Sequence, residues 1–301
     1  MRGIELSEKC FYERFLPTLR EKLPEAEAHI AAGLVGGGSE CYGFDDEVSH
    51  DHDLSDGFYI WLTEDSDIKY GVALSRIYRE CVGEPVRKSA LPRERGPITV
   101  GEFYMRYTGR RGAPSSVTEW LALPESALFE ATNGKVFVDN VGKFSKIRQT
   151  VKEGMPEDVR LKKLAARLIE MAQSGQYNYH RCILHGEHGA ARLAAAQFAE
   201  SAVSAVFLLN RRFKPYYKWC FRAMRELSTL GGLSNEIEAL LCEQDEKRAG
   251  ALIESISGQI AHGLSECGLT SSDSDYLEPH AFCVFEAIKD RELRRMHIME
   301  G

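Results

Sequence analysis

The sequence predicts an α+β protein in which a domain with a mixed sheet is followed by an all-helical bundle domain. Two observations favour this fold class. Short apolar runs rich in aromatic and β-branched residues alternate with helical patterns in the first half of the chain. From Pro156 onward, helical periodicity dominates as far as residue 297. The change falls between about 142 and 155, so we expect an α/β domain at residues 1–142 and a helical domain at residues 143–301.

The first half is expected to supply the strands of the sheet. An amphipathic helix is predicted over 6–22, because apolar side chains recur there at helical spacing. A second, short helix is expected from Pro24, since proline is favoured in a first helical turn, and a third over 65–82. The strand candidates are 31–35, 56–62, 97–103 and 135–139. Of these, 97–103 also carries a helical signal.

The second half is expected to be a bundle of five helices. A long apolar stripe that includes Ser204–Leu209 indicates that the helix carrying it lies at the centre of the bundle. The predicted helices are 156–173, 187–210, 214–230, 234–262 and 279–297.

The composition is that of a globular protein and limits the classes of partner. Hydrophobic residues make up 44% and charged residues 28% of the 301 residues. The net charge of −7 argues against long nucleic acid, which favours a basic protein surface. No apolar run approaches the roughly 20 residues of a membrane span, and the N-terminus lacks a signal-peptide pattern. We therefore expect a cytoplasmic protein without a membrane partner. The eight cysteines are scattered singly, which predicts reduced thiols rather than a zinc site.

A glycine-serine turn followed by two spaced aspartates is the pattern that points to chemistry. Gly36-Gly37-Gly38-Ser39 follows an apolar strand, and Asp51 and Asp53 precede an aromatic strand. Glycine lets the backbone approach a phosphate closely and adopt positive φ. Backbone N–H groups and the Ser39 hydroxyl can donate to phosphate oxygens. In an extended segment, positions two apart face the same side, so we expect both carboxylates to converge on one point.

Converging carboxylates beside a phosphate turn suit a divalent metal ion. Mg²⁺ (or Mn²⁺) takes one or two carboxylates together with phosphate oxygens. Two such ions about 4 Å apart stabilise the attacking and leaving oxygens of an in-line displacement. Asp51 and Asp53 are therefore the predicted metal ligands. The alternative is purely structural: the glycines form a flexible turn, and the aspartates lie in a solvated loop.

The same residues resemble a known superfamily. The resemblance rests on Gly38-Ser39-Glu40, Gly43-Phe44-Asp45-Asp46-Glu47 and Ser49-His50-Asp51-His52-Asp53. These runs are similar to the signature of an uncharacterised bacterial group within the nucleotidyltransferase superfamily, which includes kanamycin nucleotidyltransferase and DNA polymerase β. One histidine intervenes where the superfamily commonly has Ser-Asp-x-Asp. The resemblance continues into residues 211–219, so it covers most of the chain. It implies a mixed-sheet nucleotidyltransferase domain followed by a helical bundle.

The resemblance also implies roles for individual residues of the first domain. By it, Gly38 and Ser39 hold phosphate, and Asp51 and Asp53 hold metal. A third carboxylate from a later strand is implied as well. Glu102 lies on the best candidate strand for this role, and Asp139 also qualifies.

Two groups of residues in the helical half are further candidates. In related two-domain enzymes, a carboxylate of the helical domain deprotonates the acceptor hydroxyl, and Glu187 is the candidate for that general base. Residues 210–219 are basic and aromatic, and Lys214, Lys218 and Tyr217 are candidates for contacts with a triphosphate or an acceptor. The alternatives are a helix start at Glu187 and a solvated connection between helices at 210–219.

The sequence thus predicts a metal-dependent nucleotidyltransferase. It would move a nucleoside monophosphate from a nucleoside triphosphate, such as ATP, to an acceptor hydroxyl and release pyrophosphate. A small molecule is the favoured acceptor, and a protein side chain is possible. The alternative function is a non-catalytic nucleotide-binding or partner-regulating module of the sensor or antitoxin kind.

Overall fold

The fold, in a computed structural model that describes residues 2–46, 57–83 and 95–301, contains a four-stranded mixed sheet and many helices. The α+β class is therefore confirmed. The chain divides into two compact units. The first comprises Met1–Pro114 with Ala127–Gly154, and the second comprises Ser115–Ser126 with Met155–Gly301. The division after Gly154 places residues 143–154 with the first unit, and residues 115–126 lie with the second.

The first 154 residues supply all four strands found in the described part of the chain. In chain order, the regular elements are α1 Gly3–Cys10, a π-helical segment Phe11–Phe15, α2 Leu16–Lys22, a 3₁₀ segment Pro24–His29, β1 Ala31–Leu34, α3 Ser39–Tyr42, β2 Tyr59–Leu62, α4 Glu64–Val82, β3 Gly96–Thr99, α5 Val100–Thr108, α6 Val117–Ala122, α7 Glu125–Thr132, β4 Lys135–Asp139 and α8 Lys143–Glu153. Of these, α6 belongs to the second unit. The predicted helices over 6–22 and 65–82 and the strand over 135–139 are confirmed.

The register of the sheet fixes which strand ends meet. The strand order is β3-β2-β1-β4, with β1 antiparallel to both β2 and β4, and β2 parallel to β3. Gly33 pairs with Tyr59, and Tyr59 pairs with Gly96. The end of β1 therefore lies beside the starts of β2 and β3. We call this end of the sheet, formed by Leu34, Tyr59 and Gly96, the turn end.

Helices cover both faces of the sheet. Successive residues of β2 point to opposite faces, so each face has its own set of buried contacts. On one face Phe58 and Ile60 are fully buried, with Phe11 and Phe15 of the N-terminal helix packed edge-to-face on Phe58 at 5.5 Å. On the other face Trp61 stacks on Phe144 of α8, with ring centroids 3.6 Å apart and planes 14° from parallel. Truncating such a buried aromatic typically costs about 3–5 kcal/mol, so both helical layers hold the sheet.

The prediction of a strand over 97–103 was wrong beyond Thr99. The strand ends there, and α5 begins at Val100. The Thr99 hydroxyl accepts a hydrogen bond from the Glu102 backbone at 3.1 Å, and the Glu102 carboxylate accepts one from the Thr99 backbone at 3.4 Å. This reciprocal pair is a capping box, which stabilises a helix start. The Thr-x-x-Glu spacing was the helical signal present in the sequence.

Every regular element described in the second unit is helical. Its elements after α6 are α9 Glu157–Met171, a π-helical segment Ala172–Tyr179, α10 His180–Leu184, α11 His188–Leu209, α12 Tyr217–Met224, a 3₁₀ turn Gly231–Leu233, α13 Ser234–Cys242, α14 Glu246–Glu266, α15 Leu277–Glu286 and α16 Arg291–Arg295. Three predicted helices are shorter or broken. The helix predicted over 214–230 spans Tyr217–Met224. Those predicted over 234–262 and 279–297 are broken where the side chains of Asp245 and Asp290 cap new helix starts.

Helix α9 holds the second unit together through buried cations that bind carbonyl groups. Arg160 donates to the Leu208 carbonyl at 2.9 Å, and Lys163 donates to the Leu123 carbonyl at 3.0 Å. Burial lowers the pKa of Lys163 because the charged form loses hydration. Buried charges are tolerated only where such hydrogen bonds replace water, so these side chains pin the neighbouring segments to α9.

Helix α11 has the length and apolar composition of a membrane span, which the sequence interpretation did not allow for. However, 67% of its most apolar window is buried inside the protein. The predicted apolar stripe lies in this helix, and Ser204–Leu209 is buried there. This is the pattern of a core helix in a globular unit.

Two glycines with positive φ provide a matched test of the packing at the turn end. A Cβ on Gly134 (φ 65°) would collide with the Leu34 carbonyl, whereas a Cβ on Gly142 (φ 75°) would meet no atom within 4 Å. We expect Gly142→Ala to cost about 1 kcal/mol from backbone strain alone. Gly134→Ala should cost on the order of 3 kcal/mol, because the clash adds to the strain. Denaturant midpoints measure both, and equal losses would contradict the close approach of Gly134 to β1.

Candidate functional site

The glycine turn leaves β1 at the turn end of the sheet. Gly36 and Gly38 have φ values of 121° and 125°, which side-chain-bearing residues rarely adopt. A Cβ on Gly36 would lie 2.6 Å from the Tyr107 hydroxyl. Helix α3 begins at Ser39, with Gly38 as its N-cap residue. Only glycine fits both the positive φ at position 36 and the small space beside the Tyr107 hydroxyl, and the chain bends sharply here.

Asn133 clasps the turn from the loop between α7 and β4. Its side chain accepts a hydrogen bond from the Gly36 N–H and donates one to the Gly36 carbonyl, each at 2.8 Å. Arg148 of α8 donates to the Asn133 and Gly134 carbonyls at 3.0 and 3.2 Å. The Tyr107 hydroxyl hydrogen-bonds to the Gly37 backbone. The turn is thus held by side chains that are distant in sequence, 97 residues away in the case of Asn133.

Ser39 is the polar group that the turn leaves available. Among the residues that the structure describes, the Ser39 hydroxyl and its backbone N–H have no hydrogen-bond partner, and the side chain is half-buried. The first N–H groups of a helix have no intrahelical acceptor, and the dipole of the helix favours an anion there. Helix α3 has only four residues, so the dipole contribution is small. The hydroxyl and the unpaired amide are therefore the main donors for an anionic ligand.

A buried ion pair lies beside Ser39. The Arg95 guanidinium forms a salt bridge with the Glu40 carboxylate, and both side chains are more than 90% buried. A second nitrogen of Arg95 donates to the Gly57 carbonyl at 3.2 Å. The Ser7 hydroxyl donates to the same carbonyl at 3.0 Å. Burial lowers the pKa of Arg95, but Cys41 and Glu40 outweigh it and raise the pKa overall. Because Glu40 is occupied by Arg95, its carboxylate is not free to bind a cation.

The predicted metal ligands Asp51 and Asp53 lie outside the described residues, between Asp46 and Gly57. Their role stays a prediction. Among the residues that are described, no group of three potential metal ligands occurs.

The two candidates for a third carboxylate lie away from the glycine turn. Glu102 follows β3 at the end marked by the Leu62–Thr99 pair, opposite the turn end. Asp139 pairs with Ala31, the first residue of β1, and accepts hydrogen bonds from the Gly142 and Ser145 backbone at 2.7 Å. Four-residue strands span about 10 Å between their end residues. The register thus separates both carboxylates from Ser39 by about that distance or more.

Two of the four candidates in the second unit, Lys214 and Lys218, have local structural partners. Glu187 is the exposed N-cap residue of α11 without a side-chain capping bond. Lys214 forms a salt bridge with Glu200, and the Lys218 ammonium lies 5.0 Å from the centroid of the Trp219 ring. Tyr217 is 73% exposed. The catalytic and binding roles predicted for these residues remain predictions.

Sequence reasoning missed Arg95, Asn133 and Tyr107. An Asn-Gly pair at Asn133-Gly134 is a turn signal, but nothing local indicates which backbone groups the asparagine side chain binds. The Arg95–Glu40 pair joins positions 55 residues apart. Such long-range pairs have no periodic signature in a single sequence.

Comparisons with known proteins give two similarities. Residues 120–220, about a third of the chain, match a family model described as a domain of unknown function (DUF4037). The structure is similar to that of a nucleotidyltransferase-like protein from Exiguobacterium sibiricum 255-15, with 10% sequence identity and a TM-score of 0.41. That similarity covers 92% of this chain and 81% of the other. No curated protein matches the chain.

Removing the Asn133 side chain tests whether it supports the turn. Asn133→Ala leaves the buried Gly36 N–H and carbonyl unpaired, so we expect a loss of about 2–3 kcal/mol in unfolding free energy. Asn140→Ala is the matched control, because Asn140 is exposed and its side chain makes one hydrogen bond, to the Glu27 carbonyl. That control should lose less than about 1 kcal/mol. Urea denaturation compares the two, and equal losses would argue against the clasp.

Proposed function

We propose that this protein is a metal-dependent nucleotidyltransferase. It transfers a nucleoside monophosphate from a nucleoside triphosphate to an acceptor hydroxyl and releases pyrophosphate. In this proposal Gly38 and Ser39 hold the phosphates, and Asp51 and Asp53 hold the divalent metal.

The register at the turn end carries the proposal. The chain leaves β1 through the glycine turn and returns through Gly57 into β2, which pairs with β1. Asp51 and Asp53 precede Gly57 by six and four residues in the sequence. A phosphate-binding turn and the segment bearing two carboxylates therefore join neighbouring ends of adjacent strands. Ser39, whose hydroxyl and amide have no partner among the described residues, supplies the donors that a phosphate requires.

The chain's own residues have distinct parts in the reaction. The amide and hydroxyl of Ser39 bind and orient the leaving phosphates, and Gly38 lets the backbone approach them. The carboxylates of Asp51 and Asp53 are hard oxygen donors, which is the chemistry that Mg²⁺ selects. Magnesium bound there would neutralise charge on the phosphate oxygens. Alignment of the acceptor hydroxyl with the α-phosphorus supplies the remaining rate enhancement through positioning.

A small molecule is the proposed acceptor. The net charge of −7 disfavours long polyanions, whereas one triphosphate needs only local donors. Glu187 remains the candidate general base, and Lys214, Lys218 and Tyr217 remain candidates for substrate contacts. Binding of phosphate by Lys214 would require it to exchange its Glu200 partner.

A non-catalytic nucleotide-binding module is the second candidate. One observation favours it: both candidates for the third carboxylate, Glu102 and Asp139, lie at the opposite end of the sheet from the glycine turn. A site with two carboxylates can bind a metal-nucleotide complex while lacking a complete catalytic set.

A melting-temperature screen separates these functions. Each nucleoside triphosphate is added with and without Mg²⁺, and a ligand at a hundred times its Kd should stabilise the fold by about 2.7 kcal/mol. Release of pyrophosphate with a suitable acceptor supports the enzyme, whereas stabilisation without release across an acceptor panel supports the binding module. Absence of stabilisation by every Mg-nucleotide would reject both.

Substitution of the predicted metal ligands tests the assignment directly. Asp51→Asn combined with Asp53→Asn should abolish turnover and remove the Mg²⁺ dependence of nucleotide binding, because amides replace both anionic ligands. Asp273→Asn combined with Asp275→Asn is the matched control, because these two aspartates have the same spacing, are exposed and belong to the second unit. We expect both properties to be unchanged in it. Wild-type turnover in the double variant would refute the metal assignment.

A further inference from the structure

The hydroxyl of Tyr107, a residue of α5, lies against the backbone of the glycine turn. A Cβ on Gly36 would lie 2.6 Å from the Tyr107 oxygen, so the missing side chain at Gly36 makes room for the phenol. The Gly37 N–H donates a hydrogen bond to the same oxygen. A phenol both accepts and donates, so this contact uses the oxygen as an acceptor and leaves its hydrogen available.

The hydrogen of the Tyr107 hydroxyl has no acceptor in the part of the chain that the structure describes. Since the oxygen accepts from the Gly37 amide, its own hydrogen is directed away from that amide. Tyr104, three residues earlier on α5, shows the contrast. Its hydroxyl donates to the Phe144 carbonyl at 3.3 Å, so its hydrogen is already used. Of the two tyrosines, Tyr107 is therefore the one that offers a donor beside the turn.

The surroundings of Tyr107 keep its phenol neutral. Burial raises the pKa of Tyr107, nearby Tyr59 and Glu130 raise this pKa further, and the Gly37 N–H only partly offsets the rise. The Glu130 carboxylate itself accepts a hydrogen bond from the Tyr42 hydroxyl at 2.8 Å. A neutral phenol retains its hydrogen, whereas a phenolate would repel an anionic ligand. Tyr107 thus remains a donor at neutral pH.

The donors of Ser39 lie close to this hydroxyl along the chain. Ser39 follows Gly37 by two residues, so their Cα atoms are at most about 7 Å apart. The Gly36 N–H is already bound by Asn133 and the Gly37 N–H by Tyr107. A phosphate at the turn would therefore meet the hydroxyl and amide of Ser39 on one side and the Tyr107 hydroxyl on the other.

We propose that the Tyr107 hydroxyl binds the nucleotide by donating a hydrogen bond to a phosphate oxygen held at the glycine turn. The inference rests on the proposed function and adds a phosphate-binding residue to it. Tyr107 and the turn both belong to the first unit, and the contact requires neither Asp51 nor Asp53. The Gly37 N–H fixes the phenol oxygen, so the donor is oriented before the ligand arrives.

The test measures binding of inorganic tripolyphosphate to the full chain by isothermal titration calorimetry, at one fixed Mg²⁺ concentration. This probe has neither base nor sugar, so it reports on the phosphate contacts. We expect Tyr107→Phe to raise the Kd about tenfold, because hydrogen bonds to charged groups are stronger than neutral ones. Tyr104→Phe is the matched control, with the same change on the same helix, and its Kd should equal that of the wild type. Melting temperature and circular dichroism are recorded for each variant.

A second variant separates a phosphate contact from support of the turn, since Tyr107→Phe also removes the acceptor of the Gly37 N–H. Tyr107 is replaced site-specifically by 2,3,5-trifluorotyrosine, whose ring fluorines make the phenol more acidic. Its phenolate accepts more strongly from the Gly37 amide but has no hydrogen to donate. The ratio of the Kd of this variant to that of the wild type should therefore rise about tenfold as the fluorinated phenol ionises with increasing pH. The ionisation of phosphate is common to both proteins and cancels in the ratio.

The outcomes separate this inference from the proposed function. If the wild type binds tripolyphosphate and Tyr107→Phe binds it equally well, the contact is overturned and the proposed function stands. A Kd ratio that stays constant or falls as the fluorinated phenol ionises would also overturn it, because Tyr107 would then only support the turn. If Tyr107→Phe fails to fold, the fluorinated variant decides alone. If the wild type binds neither tripolyphosphate nor any Mg-nucleotide, the proposed function and the Tyr107 contact are both rejected.

Discussion

The pairing of β1 with β2 is the constraint on which the rest of the first unit depends. An antiparallel neighbour necessarily starts where its partner ends, so the chain that leaves β1 through the glycines and the chain that returns through Gly57 meet at one end of the sheet. A shift of one residue would turn Phe58 and Ile60 away from the N-terminal helix and expose them. The buried aromatic layers on both faces thus fix the register, and the register fixes which functional groups are neighbours.

The support of the turn comes from side chains that are distant in sequence. Asn133, Tyr107 and Arg95 lie on three different segments and contact Gly36, Gly37 and Glu40 respectively. These hydrogen bonds all come from side chains outside the turn. Preorganisation of this kind places donors before a ligand arrives, which reduces the cost of ordering them on binding.

The sequence predicted the elements whose side chains alternate or recur regularly. The helix over 65–82 and the strand over 135–139 were predicted because their apolar side chains follow the period of the structure. The helix over 214–230 was predicted too long, since it begins at Tyr217 and ends at Met224. The strand predicted over 97–103 ends at Thr99, because the capping box of Thr99 and Glu102 starts a helix there. Local chemistry decides such ends more often than hydrophobicity does.

The candidate site could be predicted only in part for a related reason. Glycines and paired aspartates are recognised from their own chemistry, whereas the support of the turn depends on which distant segments the sheet brings together. Glu102 and Asp139 were chosen as carboxylates on later strands, and that criterion contains no information about which end of a strand faces the turn. The register supplies it, and both residues prove to lie at the other end. Lys214 was a candidate because of its charge, and that charge is paired with the Glu200 carboxylate in a salt bridge.

The distribution of charge around the turn bears on the need for metal. Of the described cations there, Arg95 binds Glu40 and Gly57, Lys135 binds Glu8, and Arg148 binds two backbone carbonyls. The charges of Arg95 and Lys135 are paired with carboxylates, whereas Arg148 binds neutral carbonyls and its buried Nε has no hydrogen-bond partner within the described residues. Neutral donors orient phosphate oxygens but do not neutralise a triphosphate, and hydrogen bonds to ionised groups gain strength from opposite charge. In a protein of net charge −7, a divalent cation held by Asp51 and Asp53 would provide that charge. In the proposed site the turn would supply donors for the phosphate oxygens, and Asp51 and Asp53 would hold the cation that neutralises them.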